Sequence, residues 1–203
     1  MKKLYEENDV KNIAESIRNK TNATDTITFE EMSEKVEGID LETYQSILDG
    51  TITSIDLPNV TRIGKYAFNY CTNLKSINLP NVTSVGEYAF NRCTGLGKGY
   101  ILDFPKLETI CESAFNYCLT YCGHFVIRKT DGLVKLEGGY YQFGGYNVVK
   151  PSYFYFPKSL LSQYKTADVW KIYYDASSVY QFRALEDYTV DGTVTGELDK
   201  SKI

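Results

Sequence analysis

The chain has little of what most active sites are built from. It contains a single histidine, His124, so a histidine-based triad or a multi-histidine metal site would have to use that one ring. No phosphate-cradling loop is spelled, because Gly138-Gly139 and Gly144-Gly145 lack the lysine and the helix start that such a loop needs. Acidic residues are scattered rather than paired. A formal net charge of -4 leaves no basic footprint for nucleic acid or an anionic membrane. No apolar run approaches the length of a membrane span. The opening MKKLYEENDVKN turns polar and acidic directly after its lysines, without the apolar core of a secretory signal. These absences predict a soluble, non-enzymatic chain with no cofactor, no metal and no usual export route.

What the chain does have is repetition. ITSIDLPNVTRIGKYAFNYCTNL is followed by KSINLPNVTSVGEYAFNRCTGL, and Leu57, Pro58, Ile63, Gly64, Phe68, Cys71 and Leu74 return 22 residues later as Leu79, Pro80, Val85, Gly86, Phe90, Cys93 and Leu96. A third copy follows a three-residue insertion, with Phe104, Pro105, Ile110, Ala114, Phe115 and Cys118 in the same places. Self-similarity at this length is the signature of a solenoid. Within each copy Ile55 and Leu57, then Ile77 and Leu79, alternate with polar residues, which predicts a strand with one buried face. Proline ends each strand and Pro-Asn supplies turn chemistry. Val60 and Ile63 point back inward, Gly64 permits a backbone that a side chain would crowd, and Ala67, Phe68, Cys71 and Leu74 predict a short helix or tight turn. One coil cannot bury its own apolar face, so stacking and caps are required.

The pattern LPNVTxIGxxAFxxCxxL resembles the BspA-type leucine-rich repeat, closely over residues 52–96 and more loosely over 100–121, where Cys111 replaces the expected glycine. That resemblance implies a solenoid used for binding and adhesion, and implies no reaction. The fold class expected is an α+β repeat solenoid of short strands stacked into a sheet, with a helical hairpin in front and a helical cap behind.

Residues 1–40 read as the hairpin. Val10, Ile13, Ala14 and Ile17 form one stripe, and a capping box at Thr28 and Glu31 starts a second helix with Phe29, Met32 and Val36. Residues 41–156 read as the solenoid. Tyr44 to Leu48 and Thr51 to Asp56, joined by Asp49-Gly50, predict a β-hairpin sealing the first coil. Further on, His124 to Arg128, Leu133 to Leu136 and Tyr153 to Phe156 are candidate strands, and Phe143 stands where the repeat phenylalanine belongs. Residues 157–203 read as a cap and tail, with Leu160, Leu161, Tyr164, Ala167 and Trp170 at helical spacing and a hairpin at Asp191-Gly192. The segment KNIAESIRNKTNATDTITFEEMSEKV resembles the short helical start of bacteriophage tail-associated proteins that carry such repeats.

Cys71, Cys93 and Cys118 occupy equivalent positions and predict a column about one strand spacing apart, roughly 5 Å. That spacing permits a disulfide, but side chains stacked in parallel lack the usual dihedral, so buried reduced thiols are the preferred reading. Cys111, Cys118, Cys122 and His124 have the right elements for zinc without a standard spacing. The sequons at Asn22, Asn59 and Asn81 fall at turns. Tyr140, Tyr141, Tyr146, Tyr153 and Tyr155 cluster with glycines, which suits either an adaptable recognition surface or the packing of an irregular last coil.

The function expected is binding. Ser54, Asp56, Ser76, Asn78 and Asp103 on the strand face and the five clustered tyrosines are the candidate contacts, with a protein or host-surface glycan as partner and homo-oligomer formation through residues 1–40. The setting that the resemblance favours is a phage or prophage tail, in the virion or in the bacterial cytoplasm before lysis. A bacterial cell-surface adhesin is the alternative. A small tail-associated hydrolase using His124 or a carboxylate pair is the third reading.

Overall fold

The computed structural model describes residues 46–47, 50–96, 101–119, 123–139, 141–143, 152–176 and 179–188. The strand-then-proline spelling folds as expected, giving β1 (Ser54–Asp56), β3 (Ser76–Asn78) and β5 (Ile101–Phe104). The same place in later coils is taken by β7 (His124–Ile127), β9 (Ser152–Phe156) and β10 (Tyr180–Ala184). All their pairings are parallel, β1 with β3 in one two-stranded piece and β5, β7, β9 and β10 in order in a four-stranded one, as a stacked coil requires. A second, shorter sheet stacks β2 (Arg62–Ile63), β4 (Ser84–Val85), β6 (Thr109–Ile110) and β8 (Lys135–Leu136), again in parallel. Hence His124 to Arg128 and Leu133 to Leu136 belong to two sheets of one coil.

The third side of the coil is a run of tight turns, the second of the two forms expected for Ala67 to Leu74. Within a coil the amides of Ala67, Asn69 and Cys71 donate to the carbonyl three residues back. The alternate amides, Tyr66, Phe68 and Tyr70, donate instead to Glu87, Ala89 and Asn91 of the next coil. This alternation needs left-handed backbone, and Tyr66, Tyr70, Tyr88, Arg92, Ser113 and Tyr117 have φ between 54 and 63°. Around the second sheet the bonds run the other way, Thr83, Gly86, Cys111 and Glu137 donating back to Thr61, Ile63, Val85 and Ile110. Coils approach closely at the glycines. A Cβ on Gly86 would lie 2.8 Å from the Lys65 backbone nitrogen, and one on Gly95 2.3 Å from the Leu74 carbonyl oxygen.

The interior is a file of identical side chains. Phe68, Phe90, Phe115 and Phe143 stack at centroid spacings of 5.1, 5.4 and 5.8 Å, so Phe143 does complete a fourth coil. Beside them the thiol of Cys93 donates to the Phe68 carbonyl at 2.9 Å and that of Cys118 to the Phe90 carbonyl at 2.6 Å. Cys71, Cys93 and Cys118 are free and buried, in line with the reduced-thiol reading.

Two boundary expectations change. Ser46 and Ile47 are helical, and Gly50 (φ 65°) and Thr51 donate to the carbonyls of Ile47 and Ser46. That is the bond pair of a Schellman helix end, so a helix stop occupies the place of the expected first hairpin arm. The glycine serves either motif, which is why the sequence does not separate them. At the other end the helical segment is split into α1 (Leu161–Thr166) and α2 (Asp168–Asp175), broken where Ala167 turns extended, and β10 follows as a further strand. Tyr164, Trp170, Tyr173 and Tyr180 from this region complete the fourth coil. Val134 N–H donates to Tyr164 Oη at 2.9 Å, Trp170 Nε1 donates to Val134 O at 2.8 Å, and Tyr180 Oη donates to Phe143 O at 2.6 Å. Residues 1–40 and the hairpin at Asp191-Gly192 lie outside the described residues.

Candidate functional site

The long-strand face begins as the alternation dictates. Ser54, Asp56, Ser76 and Asn78 are exposed, Ser54 lies opposite Ser76, and Asn78 Nδ2 donates to Asp56 Oδ1 at 2.9 Å. Asp103 shares this face but is not free. Arg128 grips it in a two-pronged ion pair, Nη2 to Oδ2 at 2.7 Å and Nε to both oxygens at 3.0 Å. Its carboxylate therefore ties β5 to the coil behind it.

The far half of the same face is partly covered, against expectation for Tyr155. The outward columns there are Ile101, His124, Tyr153 and Gln181, and beside them Asp103, Val126, Tyr155 and Arg183. The chain after β10 turns through Leu185, and Val126, Tyr155 and Leu185 form a small second core with Ile101, Tyr153 and Tyr188 against it. Tyr155 is fully buried, its hydroxyl 2.9 Å from His124 Nδ1, and burial pushes that phenol well above its usual range. Tyr153 is half-buried between the His124 ring, 5.2 Å away, and the Arg183 guanidinium at 3.9 Å. Burial first, and the Arg183 charge second, hold the His124 imidazole below its ordinary value. Packing takes Tyr155 off the surface, while Tyr153 keeps part of its ring exposed. Tyr141 is exposed at 55%, while Tyr140 and Tyr146 lie outside the described residues.

A groove that the sequence reading missed runs over the second sheet. It encloses about 890 Å³ and crosses successive coils, with Arg62, Ser84 and Thr109 from the strands, Glu108 on the third coil, Glu137 on the fourth and Cys111 in its wall. Ser84 and Thr109 are small, so space is left above them. The one signal available is that Arg62, Ser84 and Thr109 fill the variable place in a frame whose neighbours recur.

On the turn side the left-handed residues form ladders. Tyr66 stacks on Tyr88 at 5.1 Å, and the Arg92 guanidinium sits between Tyr70 at 5.2 Å and Tyr117 at 4.8 Å. The elements counted for zinc are not brought together. Cys118 is buried in the core, His124 is on the strand face and Cys111 borders the groove, with Cys122 outside the described residues. Among the described residues no group of three or more metal-ligating side chains occurs.

Residues 1–122 match the BspA-type leucine-rich repeat region in six copies. The chain belongs to this family. BspA-type repeats are ordinarily non-enzymatic scaffolds for protein binding or adhesion. The match begins at residue 1 and so includes the segment read as a helical pair, while the fourth coil, β9 and β10 extend past its end. No curated protein and no solved structure matches the chain. Among the described residues no helix is long and apolar enough to cross a membrane.

Proposed function

We propose that this BspA-type repeat chain is a binding protein whose rigid coils present variable polar side chains to a protein partner. One observation carries the reading. Inward positions recur from coil to coil as Phe68, Phe90 and Phe115, whereas outward positions of the same coils differ, as Arg62, Ser84 and Thr109 do. A frame fixed by packing leaves its outer positions free for recognition. The open patch of Ser54, Asp56, Ser76 and Asn78 is part of that surface.

The setting we propose is a phage or prophage tail, with residues 1–40 attaching or oligomerising and the solenoid meeting a host-surface protein or glycan. The support is the helical spelling of KNIAESIRNKTNATDTITFEEMSEKV beside the repeats. Mass spectrometry of particles and cell envelopes from the producing strain tests it. Recovery with purified particles is expected, and recovery only in the envelope fraction would replace this setting with cell-surface adhesion. Binding itself is tested with fluorescently labelled full chain on host cells. Saturable binding, weakened about tenfold by replacing Asp56 and Asn78 with arginine, is expected. An absence of saturable binding would refute the binding reading.

A further inference from the structure

The groove over the second sheet carries a charge order. At its first coil stands Arg62, with Lys65 beside it bridged to Glu87 at 2.8 Å. Its middle is Ser84 and Thr109. Glu108 flanks Thr109 on the third coil and Glu137 stands on the fourth, with Lys135 in the outward column of β8 but not in the groove wall. The stack from β2 to β8 is three strand spacings, about 14 Å, which is the reach of roughly four residues of extended chain. The small side chains of Ser84 and Thr109 let a main chain approach the sheet.

We infer that this groove receives an extended peptide segment of a partner protein, lying along the solenoid axis with an acidic residue toward Arg62 and a basic residue toward Glu108 and Glu137. This rests on the binding reading above and names the chemistry of one of its surfaces. A flexible segment of mixed charge fits better than a neutral glycan, because opposite ends of the groove attract opposite charges and fix the direction in which the segment lies. The Cys111 thiol in the wall senses the same field. After burial, which pushes it up most, Glu137 and Glu87 raise its proton affinity further while Arg62 lowers it.

Cys111 is also the reporter. In the full chain carrying Cys122→Ser, alkylation by iodoacetamide at pH 8.5 is followed by mass spectrometry, with buried Cys71, Cys93 and Cys118 as internal controls. The probes are short synthetic peptides with blocked ends: a glutamate pair and a lysine pair separated by serines, the same length in glutamate and serine only, in lysine and serine only, and a neutral serine peptide. The mixed-charge peptide is expected to protect Cys111 at a concentration about tenfold lower than any other. Arg62→Glu and Glu137→Lys should each weaken that protection about tenfold. Reversing all three charges, Arg62→Glu with Glu108→Lys and Glu137→Lys, should restore it, because the peptide can lie the other way round. Glu137→Gln serves as a second variant, and unchanged melting temperatures show that the exposed substitutions leave the fold intact. Equal protection by all peptides, protection indifferent to the substitutions, or none would overturn the proposal. Stronger protection by a neutral oligosaccharide, or by raising the concentration of the chain itself, would overturn it in favour of a glycan or a second copy. Saturable host-cell binding in the face of any such result leaves the binding reading standing and removes only the groove.

Discussion

Gly95 shows how little room a stacked coil leaves at the closest approach. An added methyl would overlap the Leu74 carbonyl oxygen, a backbone atom that cannot swing aside. Gly95→Ala is therefore expected to cost roughly 1–3 kcal/mol, seen as a lower urea midpoint with unchanged slope. Asp103 is a second point where one residue decides. Its carboxylate takes the Arg128 fork, and the Arg128 side chain is only 12% exposed, so Asp103→Asn removes the charge opposite a mostly buried guanidinium. A loss of about 1–3 kcal/mol in chemical denaturation is expected, and a variant as stable as the parent would show that water replaces the carboxylate without cost. The thiols contribute differently. Each of Cys93 and Cys118 supplies a donor to a phenylalanine carbonyl one coil earlier, a role that the small apolar reading of cysteine does not include.

At the scale of elements, the sequence spelled the strands more clearly than the connections. Alternation followed by proline placed β1 and β3, though not their exact bounds, because period-two burial and a missing amide are local signals. The left-handed turns carried no such signal, since tyrosine and arginine at φ near 60° are set by inter-coil hydrogen bonds that no propensity anticipates. Of the candidate site, Ser54, Asp56, Ser76 and Asn78 were legible as outward residues. The burial of Tyr155 was not, because it depends on Leu185 returning from far along the chain. The groove was hidden too, being made partly of backbone and of glycine. Helices α1 and α2 show the same principle in use, with side chains standing in for a missing neighbour coil. Trp170 Nε1 is the partner of the Val134 carbonyl, so Trp170→Phe keeps the ring packing and strands that acceptor. It should cost about 1–3 kcal/mol, against about 3–5 kcal/mol for Trp170→Ala in the same melting experiment.

Over the whole molecule, protons that burial holds in place set the range of pH in which the coils stay stacked. Burial pushes the thiol of Cys93 well up, assisted by Cys118 and Cys71, raises Tyr164 and Tyr173 to about 12, and drives Tyr155 and Tyr180 up as well. In each case the folded chain keeps protons that the unfolded chain gives up. Stability is therefore complete below the unfolded values and falls as pH rises past about 9 for the thiol and about 10 for the phenols. His124 has the opposite sense. Its folded value is depressed, so its share of stability is present above about pH 6.5 and is lost as pH falls through the folded value. Urea midpoints measured from pH 5 to 11 should trace a plateau between these limits. His124→Phe should flatten the acid limb alone, and an unchanged acid limb would remove His124 from this account.

The opposed directions of the inter-coil bonds bear on how long such a stack can grow. Amides on the turn side point toward the next coil and those flanking the second sheet point toward the previous one, so the dipoles of these two sets oppose each other. An α-helix grows more polar at its ends with every aligned turn, whereas here each added layer brings opposed sets. A terminus of this solenoid therefore needs above all a surface that excludes water and supplies partners for its open donors and acceptors. Phenols and an indole meet that need at the far end of the fourth coil.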